Sequence, residues 1–323
     1  MIKSFLTTVP PKVLIEVNKL DLNIQSKRCE SSVNELLSKT VLVGGKRLRP
    51  LLTYLIANLF GVELKKVKTY AQAIELVHAA SLSHDDVIDN ATLRRGAPSI
   101  NIVSSNKKAV LAGDFLLADV IVNLTKEGNL DLVQEMSYVI QDLAQGEWIQ
   151  ADAIVDRNYT REMIRDIADK KTASVMSWCC VAPAYLANYP KNVIEYARSF
   201  GKHLGIAFQL MDDTLDFNQN SNKDINLDLE NGTVNSVLFE WLELNPECFA
   251  KFRKGEDISN IFTEDNLVEA ISKIQTEAMS HLDKASELLE IIANETGIVN
   301  NKNFQKNIRP IHKILDYLGN RDL

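Results

Sequence analysis

Apolar residues recur every three or four positions along most of this chain. Between Asn266 and Ile292 they fall at Leu267, Ile271, Ile274, Ala278, Leu282, Ala285, Leu289 and Ile292, the period of a helix that buries one face and wets the other. Similar spacing predicts helices over 12–38, 48–60, 67–89, 107–125, 129–150, 160–187 and 191–217, each bounded by proline, glycine or asparagine-rich breaks. Alternating apolar and polar runs joined by hairpin dipeptides, the signature of strands, do not occur. The pattern predicts an all-α bundle of roughly ten or more helices. No repeat of 20 to 50 residues points to a solenoid.

Composition changes this picture in three respects. The 323 residues are 46% hydrophobic, and the 13 glycines and 8 prolines cluster into no linker, so a single large domain over 1–323 with a sizeable core is expected. The net charge of -7 comes without a basic stripe, which excludes a nucleic-acid partner, since a phosphate backbone demands one. Cys29, Cys179, Cys180 and Cys248 show no metal-ligand spacing, and the adjacent pair reads as core thiols in a reducing compartment. No apolar run reaches the roughly 20 residues of a membrane span, and the start of the sequence lacks the features of a signal peptide. The expected location is the cytoplasm, with an apolar product still able to bring the protein to a membrane surface.

Two aspartate clusters of identical spacing carry the candidate chemistry: Asp85-Asp86-Val87-Ile88-Asp89 and Asp212-Asp213-Thr214-Leu215-Asp216. In a helix, positions i and i+4 share a face and i+1 sits about 100° round, so each cluster offers two carboxylates to one point and a third beside it. Carboxylates that close repel one another unless a cation lies between them. Hard oxygens with no thiolate suit magnesium, which shares its coordination sphere with substrate phosphates. One such cluster alone is commonly a solvated helix face. Here there are two, each followed by a polar stretch with a cation, Arg94-Arg95-Gly96 after the first and Lys223 after the second, as expected of lids over an anion.

Other residues fit a diphosphate reading. Gly44-Gly45-Lys46-Arg47-Leu48-Arg49-Pro50 sets three cations between glycines and a proline, suited to gripping phosphate, although alone it could be a solvated turn. His78 lies two helical turns before Asp85 on nearly the same face; a packed core imidazole is the competing reading. Glu75-Leu76-Val77-His78 also resembles half of a di-iron site, but the chain offers no second Glu-x-x-His. Lys171-Thr172-Ala173 and Phe208-Gln209 are unremarkable taken singly.

In combination, Gly-Gly-Lys-Arg-x-Arg-Pro, the first DDxxD with Arg94-Arg95-Gly96, Lys-Thr-Ala and Phe-Gln-x-x-Asp-Asp-x-x-Asp resemble the trans-isoprenyl diphosphate synthases, most of all the long-chain octaprenyl and heptaprenyl types, over about residues 40–230. The resemblance implies an isoprenoid-synthase bundle around a central cavity, a homodimer, and head-to-tail addition of isopentenyl diphosphate to an allylic diphosphate. It implies three Mg²⁺ per active site, held by Asp85, Asp86, Asp89, Asp212, Asp213 and Asp216, with Arg94, Lys171 and Lys223 completing the clamp on the ionising diphosphate. Lys46, Arg49 and Arg95 would take the diphosphate that is retained, with His78 alongside and Gln209 near the acceptor, and the final proton would go to the departing diphosphate.

Small residues at Ala80 and Ser81, one turn before Asp85, resemble the long-chain members that supply quinone side chains. A short-chain farnesyl or geranylgeranyl synthase and a non-catalytic subunit of a heteromeric synthase are the alternatives. A terpene cyclase is disfavoured by Gly44–Pro50 and Arg95, which it would not need. Two stretches depart from the pattern. Gly232-Thr233-Val234-Asn235-Ser236-Val237 lacks an expected lysine, and Asn222–Asp228 keeps only Lys223 and Asp228 of a longer motif. A slower or differently regulated enzyme is the expectation.

Overall fold

Two helices are apolar almost all round, and the rest of the molecule is arranged about them. The computed structural model describes residues 5, 7–24, 30–45, 47–217, 228–229, 231–258 and 265–319. In chain order the helices are α1 (Pro11–Asn18), α2 (Ser31–Lys39), α3 (Leu48–Leu59), α4 (Lys68–Ile88), α5 (Ile100–Val103), α6 (Asn106–Lys126), α7 (Leu130–Asp156), α8 (Arg161–Ala168), α9 (Ser174–Leu186), α10 (Lys191–Leu215), α11 (Ser236–Leu244), α12 (Pro246–Arg253), α13 (Leu267–Glu295) and α14 (Phe304–Gly319). α3 is buried from Pro50 to Leu59 and α9 from Val175 to Ala184, as expected of helices with no solvent face. Burial pushes the Cys179 thiol up to about 12 and the Cys180 thiol well above its ordinary value, so both are inert core groups.

α9 lies between α3 and α10, and α13 packs along α10. The α9–α10 approach is close enough to require glycine. A Cβ on Gly201 would stand 2.6 Å from Ser177 Cα, and one on Gly205 would stand 2.5 Å from Ala173 Cα. From the position next to Ser177, the Trp178 indole donates to the Tyr70 carbonyl of α4 at 3.2 Å. A second buried cluster, with Trp241, Phe252 and Leu210, joins α11 and α12 to the C-terminal part of α10 and the first half of α13.

The helical pattern holds with three local differences. The predicted helix over 12–38 is two, α1 and α2. Between them Asn23 N–H bonds to Asp21 Oδ1 at 2.9 Å, a local turn that competes with helix. The stretch 160–187 is interrupted by a π-helical turn, Asp169–Ala173, between α8 and α9. Residues 93–98 form a minimal antiparallel ribbon, Leu93–Arg94 against Ala97–Pro98, turned by Arg95 (φ 54°) and Gly96 (φ 78°). That pair of positive φ values makes the tight primed turn of a hairpin, and strands of two residues are too short to show a period of two.

Gly201→Ala and Gly205→Ala are each expected to lose about 1–3 kcal/mol through overpacking, read as a lower urea midpoint with unchanged helical circular dichroism.

Candidate diphosphate site

Both aspartate clusters end helices. Asp85 and Asp86 occupy the last turn of α4 and Asp89 caps it, while Asp212 and Asp213 occupy the last turn of α10 and Asp216 caps that. The C-terminal end of a helix carries the negative end of its dipole, so six carboxylates stand where they are least welcome. The middle member of each cluster is compensated within the protein. Asp86 is wholly buried; its Oδ1 accepts from Arg94 Nε at 2.8 Å and Nη2 at 2.5 Å, and its Oδ2 accepts from the Ile100 amide at 3.4 Å. Asp213 Oδ2 accepts from the Ser236 amide at 3.0 Å and the Ser236 hydroxyl at 2.6 Å, and its Oδ1 accepts from Gln209 Nε2 at 2.8 Å. Each middle aspartate thus fastens the start of a later helix, α5 or α11, to the end of its own.

The cavity takes a different subset. Asp85, Asp212, Asp213 and Asp216 line a space of about 500 Å³ together with Arg49, His78, Lys171 and Gln209, whereas Asp89 is exposed and outside that lining. Burial pushes the Asp85 carboxyl up to about 6; Lys171 and Arg94 oppose this, while the Glu147 and Asp89 charges reinforce it. Asp89 is also raised, first by desolvation and then by Glu147. Asp216 accepts from Asn235 Nδ2 at 3.1 Å. Thr172 donates to Gln209 Oε1 at 2.7 Å, so the Gln209 amide is held between Thr172 and Asp213. Burial, then Arg49, Arg95 and Arg94, drive the His78 imidazole well below its ordinary value, leaving it neutral at pH 7.

Arg49 also opens on a second cavity of about 590 Å³, with Gly45, Glu75 and Arg95. Arg95 donates to the Val43 carbonyl at 3.0 Å, and a Cβ on Gly45 would come within 3.1 Å of its guanidinium; glycine there lets the loop backbone approach. Arg47 also lines this cavity, but its guanidinium donates to the Leu20 carbonyl at 2.8 Å and the Val17 carbonyl at 3.4 Å, in and just after the last turn of α1. A third cavity, about 660 Å³ and mostly apolar, runs between α4, α6 and α7 and shares Ser81, Asp85, Leu143 and Glu147 with the first. Ser81 therefore faces both, whereas Ala80 is fully buried in the core. Lys46 and Lys223 lie outside the described residues.

Sequence reasoning missed Glu147 and Gln150. They stand three apart on α7, line the first cavity, and both accept from Lys171 Nζ. Nothing in their spacing distinguishes them from any exposed helical pair. The stretch noted for its missing lysine also lines this cavity, through Thr233, Val234, Asn235 and Ser236. Among the described residues no three His, Cys, Asp or Glu side chains converge as a ready-made metal cage. The donor chemistry still fits magnesium, which takes one or two carboxylates and leaves the remainder to waters and phosphates.

This fold and cavity define an isoprenoid-synthase-type helical bundle. A model of the polyprenyl synthetase family matches residues 30–275, and the chain belongs to that family. The mitochondrial solanesyl-diphosphate synthase 1 of rice is 33% identical over 272 residues, covering 77% of this chain and 63% of the relative. A decaprenyl diphosphate synthase from Rhodobacter capsulatus superposes with a TM-score of 0.79 at 24% identity, covering 96% of both chains. A polyprenyl synthase from Caulobacter crescentus, solved with calcium and isoprenyl diphosphate, superposes with a TM-score of 0.75 at 25% identity, covering 99% of this chain and 98% of its own. The chain spans about half the length of several curated relatives that it matches. Among the described residues no helix is long and apolar enough to cross a membrane.

The raised Asp85 carboxyl has a consequence for stability. The folded protein holds this proton between about pH 4 and 6 while the unfolded chain has released it, so the stabilisation is present at acid pH and is lost as pH rises through about 6. Without divalent cation, Asp85→Asn is therefore expected to raise stability at pH 7 by on the order of 1–2 kcal/mol, and to flatten the slope between pH 4 and 6. Thermal unfolding against pH, with and without Mg²⁺, reads this out: Mg²⁺ should stabilise the unmodified protein far more than the variant.

Proposed function

We propose that the protein condenses isopentenyl diphosphate head to tail onto an allylic diphosphate and repeats the step to give a long-chain polyprenyl diphosphate. The observation that carries this is the joining of three cavities: one lined by carboxylates, one by arginines, and one apolar, with Arg49 shared by the first two and Ser81 by the first and third.

Breaking the allylic C–O bond leaves a carbocation and a diphosphate, so the rate depends on stabilising the departing anion. Mg²⁺, proposed at three per active site, would supply that charge, with Asp85, Asp89, Asp212 and Asp216 as its holders. Asp86 and Asp213, bonded as described, act by fixing the loops that return to α5 and α11. Lys171 and Arg94 stand on the allylic side, with Lys223 as a further cation expected there from the sequence. Isopentenyl diphosphate keeps its own diphosphate, so its site needs cations alone; Arg49 and Arg95 provide them, and Lys46 is expected beside them. Neutral His78, which lines the carboxylate cavity with Arg49, can hydrogen-bond there without adding charge. Gln209, held by Thr172, borders the space where the carbocation forms, and its carbonyl end suits a positive neighbour. The last proton is assigned to the released diphosphate.

The apolar cavity supports a long product. Its wall includes Val77, Ile88, Leu117, Ile140 and Ala144 beside Ser81, and its one large aromatic lining residue, Trp148, is 73% exposed and so closes no floor across it. The solanesyl and decaprenyl relatives agree with that reading. Exposed apolar residues on α6 and α7, among them Leu111, Val122, Leu130 and Val155, support a homodimer through those helices. One domain over 1–323 and a cytoplasmic setting, where thiols such as Cys248 stay reduced, complete the proposal, with contact to a membrane surface when the apolar product leaves.

Incubation with Mg²⁺, isopentenyl diphosphate and allylic primers of increasing length, followed by sizing of the products, tests the reading. Elongation to chains longer than geranylgeranyl is expected, and no elongation of any primer would sink it. Asp85→Ala should lower kcat by at least a hundredfold with the helical fold intact. Ser81→Phe should shorten the product while leaving the first condensation within about threefold, because the ring would stand at the entrance to the apolar cavity.

A further inference from the structure

Lys171 has a dock of its own. It sits in the π-helical turn between α8 and α9, a feature that redirects a side chain by one extra residue per turn. α7 passes so near that a Cβ on Gly146 would stand 2.7 Å from Lys171 Cγ and 3.0 Å from Lys170 Cβ, so the aliphatic stem lies in a notch that glycine leaves open. At the head of the side chain, Nζ forms a short ion pair with Glu147 and donates to Gln150 Oε1 at 2.8 Å. Lys170 turns away and donates to Gln145 Oε1 at 3.1 Å. Notch, carboxylate and amide all come from one stretch of α7, Gly146–Gln150.

Glu147 and Lys171 both line the carboxylate cavity, with side chains only 19% and 28% exposed. An ion pair with this little water around it is not easily ignored by an incoming anion. A diphosphate entering this cavity gains Lys171 only by drawing it off Glu147, and a diphosphate that leaves returns Lys171 to it.

We propose that Glu147 is a positioning residue, an internal counter-anion that docks Lys171 between turnovers and competes with the diphosphate for it, thereby favouring release of the pyrophosphate product. The inference rests on the prenyltransferase reading of the site and goes beyond it by giving α7 a part in the release step. It requires no bond to form or break; the lysine exchanges one anionic partner for another.

The test is calorimetric titration of the full chain with inorganic pyrophosphate in the presence of Mg²⁺. Glu147→Gln keeps the shape and a hydrogen-bond acceptor for Lys171 but removes the charge, and is expected to bind pyrophosphate about tenfold tighter. Lys171→Gln is expected to bind it more weakly. In the double variant the gain from Glu147→Gln should disappear, since there is no lysine left to compete for. An unchanged affinity in Glu147→Gln overturns the inference. A weaker one also overturns it, because Glu147 would then be helping to hold the metal or the fold. A gain that persists in the Lys171→Gln background overturns it as well, since Glu147 would then be repelling the anion directly. Failure of the unmodified protein to bind pyrophosphate at all would instead remove the diphosphate reading itself. Should Lys171→Gln not fold, Lys171→Met serves in the same cycle.

Discussion

Carboxylates at the C-terminal end of a helix face the negative end of its dipole, and this chain ends α4 and α10 on three each. Much of the surrounding architecture can be understood as a response to that placement. Arg94 must return on a two-residue ribbon to meet Asp86, α11 must begin where its first amide and hydroxyl can reach Asp213, and Lys171 must be brought in by a break in helical phase. On the cavity wall stands Asp85, whose carboxyl resists ionising. Stability has been surrendered there, in the way active sites commonly do.

The two halves of the site are built by different physics. On the carboxylate side, order comes from hydrogen bonds that fix direction: Thr172 to Gln209, Gln209 to Asp213, Ser236 to Asp213. On the arginine side it comes from the backbone, where Gly44, Gly45 and Arg47 all adopt positive φ and the loop is drawn close beneath Arg95. A directional network suits a partner whose charge changes during reaction, since it holds dipoles in place without reorganisation. A cationic pocket suits one whose charge is only held.

Much of this was legible in the sequence, and the gaps have physical causes. The helices came through because burial on one face imprints a period, and α13 follows its predicted apolar stripe: Ile274, Ala278, Leu282, Ala285, Leu289 and Ile292 are all buried. The aspartate clusters were visible as a repeated spacing. Their division of labour was not, because Asp85 and Asp86 are adjacent letters, and only the path of the chain decides that one meets Arg94 in the core while the other stays in the cavity. Glu147 and Gln150 were invisible for a similar reason: their significance comes from a lysine more than twenty positions away, presented by a π-turn that no periodicity announces. Ala80 and Ser81 looked equivalent as small residues, yet a 100° step round α4 puts one in the core and the other on the cavity wall.

The tie of Arg47 to the end of α1 carries a different kind of consequence. Its partners are the main-chain carbonyls of Val17 and Leu20, groups that every amino acid supplies. A change of side chain at 17 or 20 leaves those acceptors in place, so what ties Val17 and Leu20 to their own letters is burial in the core and not this contact. Across descendants of this chain, the imprint of that contact would be an arginine kept at one end with no matching letter at the other.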